Sequence, residues 1–311
     1  MIMQYVYPFF GRIDCGLFRL FGPGLGNCLF SWARAMVFAR RNNLSIIDPT
    51  WPNISIGAMV RNQADKRYYG NLFKPLEHSI TGIKKWLLLF LSKKVWSDSA
   101  GQLLGPGDCR HSVVYFFKGM DNYFADIIRD HAFVKQMLID SACTVPSVVL
   151  GASRQPFIAV HVRLGDFAKT KSSDFIKSGA SNLRVPLVWY SNCINAVRKH
   201  YYAEMPVMIF SDGTDSELKP LLELPSTVRV NRNSALTDLF LLSRATILIA
   251  SGSSYSMWAS FLGRMPVIWH PGQLKQRLYY ENAGYEIEFD GQGDLPDSFD
   301  VSLLTAHSKR Y

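Results

Sequence analysis

Phe157-Ile158-Ala159-Val160-His161-Val162-Arg163-Leu164-Gly165-Asp166 is a short apolar run that breaks into a charged, glycine-containing loop. The run is long enough for one buried strand and too short for a helix. Downstream the same unit repeats. Val207 to Phe210 and Thr227 to Val230 read as strands, as do Ile247 to Ala250 and Pro266 to Trp269. Helical spacing separates them: Val185 to Tyr202, Ser216 to Leu222, Leu236 to Leu242 with Ser234 as its N-cap, and Tyr255 to Leu262. Strand and helix alternate every ten to fifteen residues or so, the signature of βαβ units and a parallel sheet. The expected fold class is therefore α/β.

A weaker version of this rhythm runs through the first half. Leu17 to Phe21 reads as a strand, Gly22 to Gly26 as a turn and Cys28 to Arg41 as a helix, followed by a strand at Leu44 to Ile47. Val113 to Phe117 reads as another buried strand and Asn122 to Ile139 as a helix, while Trp51 to Gly107 lacks a pattern. Pro and Ser cluster between Thr144 and Pro156, which sets the expected domains at 1–150 and 151–311.

Composition narrows the class. The 311 residues are 48% hydrophobic and 19% charged, enough for a large core and incompatible with disorder or a disulfide mini-protein. A net charge of +9 favours phosphate-bearing partners. No nucleic-acid recognition motif accompanies it, so nucleic acid is not an expected partner. The cysteines, Cys15, Cys28, Cys109, Cys143 and Cys193, are odd in number and far apart, which fits a reducing compartment. The start, MIMQYVYPFF, has no charged segment ahead of its apolar residues. The longest wholly apolar run, Trp86 to Leu91, is far below the ~20 residues of a membrane span. A cytoplasmic protein is the expectation.

In an open parallel sheet, ligands bind beyond the carboxyl ends of the strands. Three expected strand ends carry polar sequences: His161 to Asp166, then Phe210-Ser211-Asp212-Gly213, then Ser251-Gly252-Ser253-Ser254 leading into a helix. A small-residue loop at a helix start presents unpaired N–H groups to an anion, and the forked guanidinium of Arg163 suits a phosphate. Each residue also has a plain structural reading: a capped loop for the serines, a turn aspartate for Asp212, a loop anchor for Asp166, a core histidine for His161. Gly22-Pro23-Gly24-Leu25-Gly26-Asn27 is a second glycine loop, which serves either as a close approach to a ligand or as a tight turn. The sequence holds no H-E-x-x-H, cysteine cluster, P-loop, G-x-S-x-G or D-x-D, so no metal site is expected.

Taken together, these segments resemble the family 11 glycosyltransferases, the α-1,2-fucosyltransferases, and more distantly the wider inverting fucosyltransferase superfamily. Gly24-Leu25-Gly26-Asn27-Cys28-Leu29-Phe30 is similar to the family's GLGNQLF, and His161 to Phe167 to HVRRGDY. Phe210-Ser211-Asp212 is similar to FSDD, and Asp238 to Leu262 to a long pattern that includes ANSSFSWW. Several positions depart from the pattern: Cys28 for Gln, Leu164 for the second Arg, Gly213 for the second Asp, Gly252 for Asn and Met257 for the first Trp.

The resemblance implies a GT-B-like fold, two facing Rossmann-like domains with parallel sheets, working without a metal or other cofactor. It implies a GDP-fucose donor on the second domain and a glycan acceptor, lipid-linked in surface polysaccharide synthesis, on the first. Arg163 would grip the β-phosphate, aided by Ser253 and Ser254. His161, Ser211, Asp212 and Asp238 would complete the donor site, and Asn27 and Asp166 would stand at the reacting centre. Two alternatives stay open: another nucleotide sugar as donor, or a non-catalytic glycan-binding relative. Residues 83–96, an apolar run bracketed by Lys84-Lys85 and Lys93-Lys94, read either as a core helix or as a peripheral contact with the inner membrane of a bacterium.

Overall fold

The computed structural model describes residues 3–11, 13–54, 68–96, 112–147, 155–169, 174–201, 203–230, 234–279 and 283–299. The chain divides into two compact units, Met1–Thr144 and Val145–Tyr311. Cys109, Tyr202 and residues 148–154 of the Pro- and Ser-rich junction lie outside the described residues.

Unit 1 holds β1 (Gln4–Pro8), β2 (Ile13–Asp14), β3 (Arg19–Leu20), α1 (Leu25–Asn42), β4 (Ser45–Ile46), β5 (Asn53–Ile54), α2 (Gly82–Leu91), β6 (Lys93–Trp96), β7 (Val113–Phe117) and α3 (His131–Ser141). Its main sheet runs β4-β1-β7-β6 and is parallel throughout. β1 and β7 are internal and almost entirely buried, as expected where helices cover a parallel sheet. α1 packs on them with a long buried face that includes Leu29, Phe30, Trp32 and Met36. A small sheet, β2-β3-β5, stands beside the main one.

Three expectations for this half need correcting. The strand placed at Leu17–Phe21 shrinks to Arg19–Leu20, and Phe21 turns into the left-handed region at φ 55°. The helix expected from Asn122 begins only at His131, because Asn122 (φ 57°) and Tyr123 (φ 45°) cannot belong to a right-handed helix. The stretch from Trp51 that showed no pattern contains α2 and β6. Within residues 83–96 the helix is present, but its apolar side chains Ile83, Trp86, Leu87, Phe90 and Leu91 are exposed rather than in a core. β1 lay in the opening ten residues, where Tyr5-Val6-Tyr7 offered a strand signal in its β-favouring side chains.

Unit 2 contains β8 (Ile158–Val162), α4 (Asp174–Lys177), α5 (Leu187–His200), β9 (Val207–Ser211), α6 (Asp215–Leu222), β10 (Thr227–Arg229), α7 (Ala235–Leu242), β11 (Ile247–Ala250), α8 (Ser254–Gly263), β12 (Val267–Trp269) and β13 (Glu286–Glu288). The expected strands and helices of this half all appear within a few residues of their expected bounds. Ser234 does cap α7, accepting a hydrogen bond from the Thr237 N–H at 3.1 Å. β13 was not anticipated, since Glu286-Ile287-Glu288 is too short and too acidic to stand out.

The six strands form one parallel sheet in the order β10-β9-β8-β11-β12-β13. Numbered within the unit this is 3-2-1-4-5-6, the doubly wound arrangement. β8 and β11 are buried along their whole length, whereas the edge strand β10 is half exposed. The core between sheet and helices includes Ile158, Val160, Val162, Ile209, Ile249 and Ile268. The chain winds outward from β8 through β9 to β10, then returns to place β11 on the other side of β8. A crevice therefore opens between the carboxyl ends of β8 and β11.

Candidate active site

The crevice sits where the chain reverses, and two of the three polar strand ends flank it. His161 is the fourth residue of β8 and 5% exposed. Its Nδ1 lies 2.7 Å from Ser256 Oγ, 3.0 Å from Ser251 Oγ and 3.4 Å from Ser253 Oγ. The imidazole thus joins the end of β8 to the serine loop after β11, across 90 residues of sequence. Burial lowers its pKa to about 3, with the Arg163 charge adding to the shift and Asp212 opposing it. The ring is neutral at ordinary pH and acts as a hydrogen-bonding strut.

Ser253 caps α8, its hydroxyl accepting from the Ser256 N–H at 3.3 Å, and Ser254 opens the helix. The helix dipole places partial positive charge at this end. On the other flank, Arg163 Nη1 is 2.7 Å from Asp212 Oδ2. Its Nη2 is 2.7 Å from Asp166 Oδ1, and the guanidinium carbon stands 5.8 Å from the centre of the Phe167 ring. The Asp212 carboxylate also accepts from the N–H groups of Leu164, at 2.8 Å, and Gly165, at 3.1 Å. Asp212 at the end of β9 therefore fixes both the loop after β8 and the arginine that loop carries. Arg163 remains 24% exposed, so its fork is oriented by protein and still open to solvent.

The structure thus brings together His161, Arg163, Asp166, Asp212, Ser253 and Ser254. Ser211 contributes locally: its hydroxyl accepts from the Gly213 N–H at 3.0 Å. Asp238 sits in the first turn of α7, whose start is tied to α8 by the Tyr255 hydroxyl donating to the Ala235 carbonyl. Asn27 belongs to unit 1. It lies in the first turn of α1 and lines a cleft of about 1030 Å³ with Phe9, Phe10, Phe21, Lys118 and Asp121. Sequence reading missed those neighbours, although Phe9 and Phe10 directly follow the strand β1. Among the described residues, no group of three or more His, Cys, Asp or Glu side chains is arranged to hold a metal ion.

Two departures from the family pattern are neighbours in space. A Cβ placed on Gly213 would stand 2.5 Å from Leu164 Cδ1, so the apolar Leu164 side chain occupies the ground a residue-213 side chain would need. At a third departure, a Cβ on Gly252 would collide with the buried side chain of Gln273, coming 2.8 Å from its Cδ. Gln273 Nε2 donates to the Ile176 carbonyl at 2.8 Å, which holds it in that position.

The chain thus holds two α/β units, each with a parallel sheet, the second doubly wound with charged and polar residues gathered at its switch point. The chain belongs to glycosyl transferase family 11, whose family model matches residues 95–270. No curated protein sequence matches it. Among solved structures it is similar to fucosyltransferase NodZ from Bradyrhizobium, at 16% identity and a TM-score of 0.43 over 86% of this chain and 94% of that one. POFUT1 in complex with GDP is similar at 13% identity and a TM-score of 0.40, covering 83% of this chain and 99% of that one. A mutant FUT1 from Arabidopsis thaliana in complex with GDP is similar at 13% identity and a TM-score of 0.42, over 86% of this chain and 70% of that one. These are distant likenesses, and the family match carries the assignment.

Proposed function

We propose that this glycosyltransferase moves fucose from GDP-fucose to a hydroxyl of a glycan acceptor, forming an α-1,2 linkage during surface polysaccharide synthesis. The observation that supports this reading is that Arg163, just past the end of β8, and the serine-capped start of α8, just past the end of β11, follow neighbouring strands at the switch point of a family 11 chain. The acceptor hydroxyl attacks the anomeric carbon from the face opposite the diphosphate, and its proton passes to solvent water. The carbon–oxygen bond to the β-phosphate breaks, GDP departs, and the configuration inverts. Arg163 and the N–H groups at the start of α8 stabilise the charge that grows on the leaving phosphate.

Asp166 and Asp212 aim the guanidinium, and the ion pair leaves Asp166 better suited to positioning than to removing a proton. Unit 2 is the donor side in this reading. Unit 1 is the acceptor side, with Asn27 and the aromatic cleft presenting stacking faces and hydrogen-bonding groups to a sugar. The Leu164–Gly213 pair favours a second reading, in which the same inverting chemistry uses another nucleotide sugar, because a charged pair beside the donor loop is gone.

The test is release of free nucleotide from a panel of nucleotide sugars, with and without galactoside-terminated acceptors, followed by assignment of the product linkage by NMR. Acceptor-dependent GDP release from GDP-fucose with an α-1,2 product supports the proposal. Release from a different nucleotide sugar alone supports the second reading. No release from any donor, with binding to glycan retained, overturns both in favour of a lectin-like relative.

A further inference from the structure

α2 is turned outward in an unusual way. Lys85 and Leu89 are its buried side chains, with Lys85 only 7% exposed and its Nζ 5.8 Å from the centre of the Tyr7 ring. The solvent side carries Ile83, Trp86, Leu87, Phe90 and Leu91, at 80, 46, 42, 50 and 73% exposure. These follow the i, i+3, i+4, i+7, i+8 spacing of one helical stripe, so a stripe that ordinarily meets a core here meets water. The stripe extends sideways. A Cβ on Gly16 would lie 3.4 Å from Leu89 Cδ1 and 3.8 Å from Trp86 Cδ1, so Gly16 borders the helix, and the next two residues, Leu17 (72% exposed) and Phe18, are open to solvent.

Along α2 and β6 the exposed charge has one sign only. Lys84, Lys93 and Lys94 are exposed, and no acidic residue occurs between Ser79 and Trp96. Lysine is depleted in protein–protein interfaces, whereas an apolar face with Trp, Phe and Leu edged by lysines is the pattern of a helix lying in a lipid headgroup layer. At ten residues α2 is about 15 Å long, which allows lying on a bilayer and not crossing one.

We propose that the outer face of α2, with Leu17 and Phe18, is a docking surface for an anionic lipid membrane. Ile83, Trp86, Leu87, Phe90 and Leu91 enter the acyl boundary, and Lys84, Lys93 and Lys94 engage lipid phosphates. Lys85 takes no part, because it is buried against Tyr7.

The experiment is cosedimentation of the full chain with vesicles of mixed phosphatidylcholine and phosphatidylglycerol, against vesicles of phosphatidylcholine alone. The expected result is salt-sensitive binding to the mixed vesicles. Lys84→Gln/Lys93→Gln/Lys94→Gln should weaken it on the order of a hundredfold, and Trp86→Ser/Phe90→Ser by more than about tenfold. A control with three exposed lysines elsewhere, Lys74→Gln/Lys199→Gln/Lys219→Gln, should change it little. All substituted side chains other than Trp86 and Phe90 are polar surface groups, and those two are half exposed, so thermal melts should stay near that of the parent chain. Equal weakening by the control lysines would return the effect to overall charge and overturn the proposal. So would binding indifferent to Trp86→Ser/Phe90→Ser. A concentration-dependent dimer abolished by that same pair, without vesicle binding, would assign the face to a second copy instead.

Discussion

Arg163 lies between two carboxylates, and that sandwich sets what its removal should do. Asp166 and Asp212 each hold one terminal nitrogen at 2.7 Å, leaving the remaining donors of the fork for a phosphate. Arg163→Ala should cost transfer about 100-fold, on the order of 3 kcal/mol. The pair energy lost from a site this accessible to solvent is about 1 kcal/mol or less. Nucleotide-release kinetics beside a thermal melt would show both effects, and near-normal turnover by a well-folded variant would remove Arg163 from the site. Arg163→Lys should recover little, because an ammonium cannot reproduce the fork. His161 carries a different prediction. Its pKa is about 3 in the folded chain and about 6.5 when unfolded, so between those values the unfolded state binds the extra proton. Stability is full above about pH 6.5 and falls as pH drops toward 3, by up to ~1.4 kcal/mol per pH unit. Denaturant unfolding of the parent chain and His161→Gln at pH 7 and pH 5 would test it: the variant should lack this share of the slope. Identical slopes would mean that His161 is not the buried neutral group described.

At the scale of elements, the loops after β8 and β9 interlock through a substitution pair. Gly213→Asp alone should destabilise by about 1–3 kcal/mol, since its Cβ would press on Leu164 Cδ1. Leu164→Arg alone places an unpaired charge where a buried leucine stood. Combined, the two should cost less than their sum, because Arg and Asp can pair and the obstruction is gone. A double-mutant cycle by urea unfolding measures the coupling, and additivity within about 0.5 kcal/mol would mean that the two positions do not interact. These elements differ in how readable they were. β8, β9 and β11 are uninterrupted apolar runs closed by polar loops, and α7 carries its cap at Ser234, so local rules sufficed. α2 was readable as a helix but not in its orientation: its apolar stripe faces solvent, and Lys85, which looks like a surface residue, is buried together with Leu89. The turn at Asn122–Tyr123 escaped notice because Tyr gives no warning of a left-handed backbone.

For the whole molecule, the sequence contains no D-x-D to carry a metal-bridged diphosphate, and in the proposed mechanism Arg163 and the start of α8 would supply positive charge in its place. Transfer should therefore persist in excess EDTA. Complete loss in chelator, restored by magnesium or manganese, would count against the proposed mechanism. The sequence by itself determined the α/β class, the order of elements in unit 2 from α5 to β12, and the family, because strand propensity, caps and short motifs are local and survive without knowledge of the fold. It also located Arg163, Asp212, Ser253 and Ser254 at strand ends and a helix start. Only the tertiary structure decided that β11 returns to lie beside β8, setting His161 and Ser251 within 3.0 Å across 90 residues. That adjacency depends on pairing between distant strands, and one buried apolar run pairs as well as another until the helices fix the winding. For the same reason only the structure could turn the apolar stripe of α2 toward solvent: hydrophobicity states that a face avoids water, and the packing of every other element decides whether anything is left to cover it.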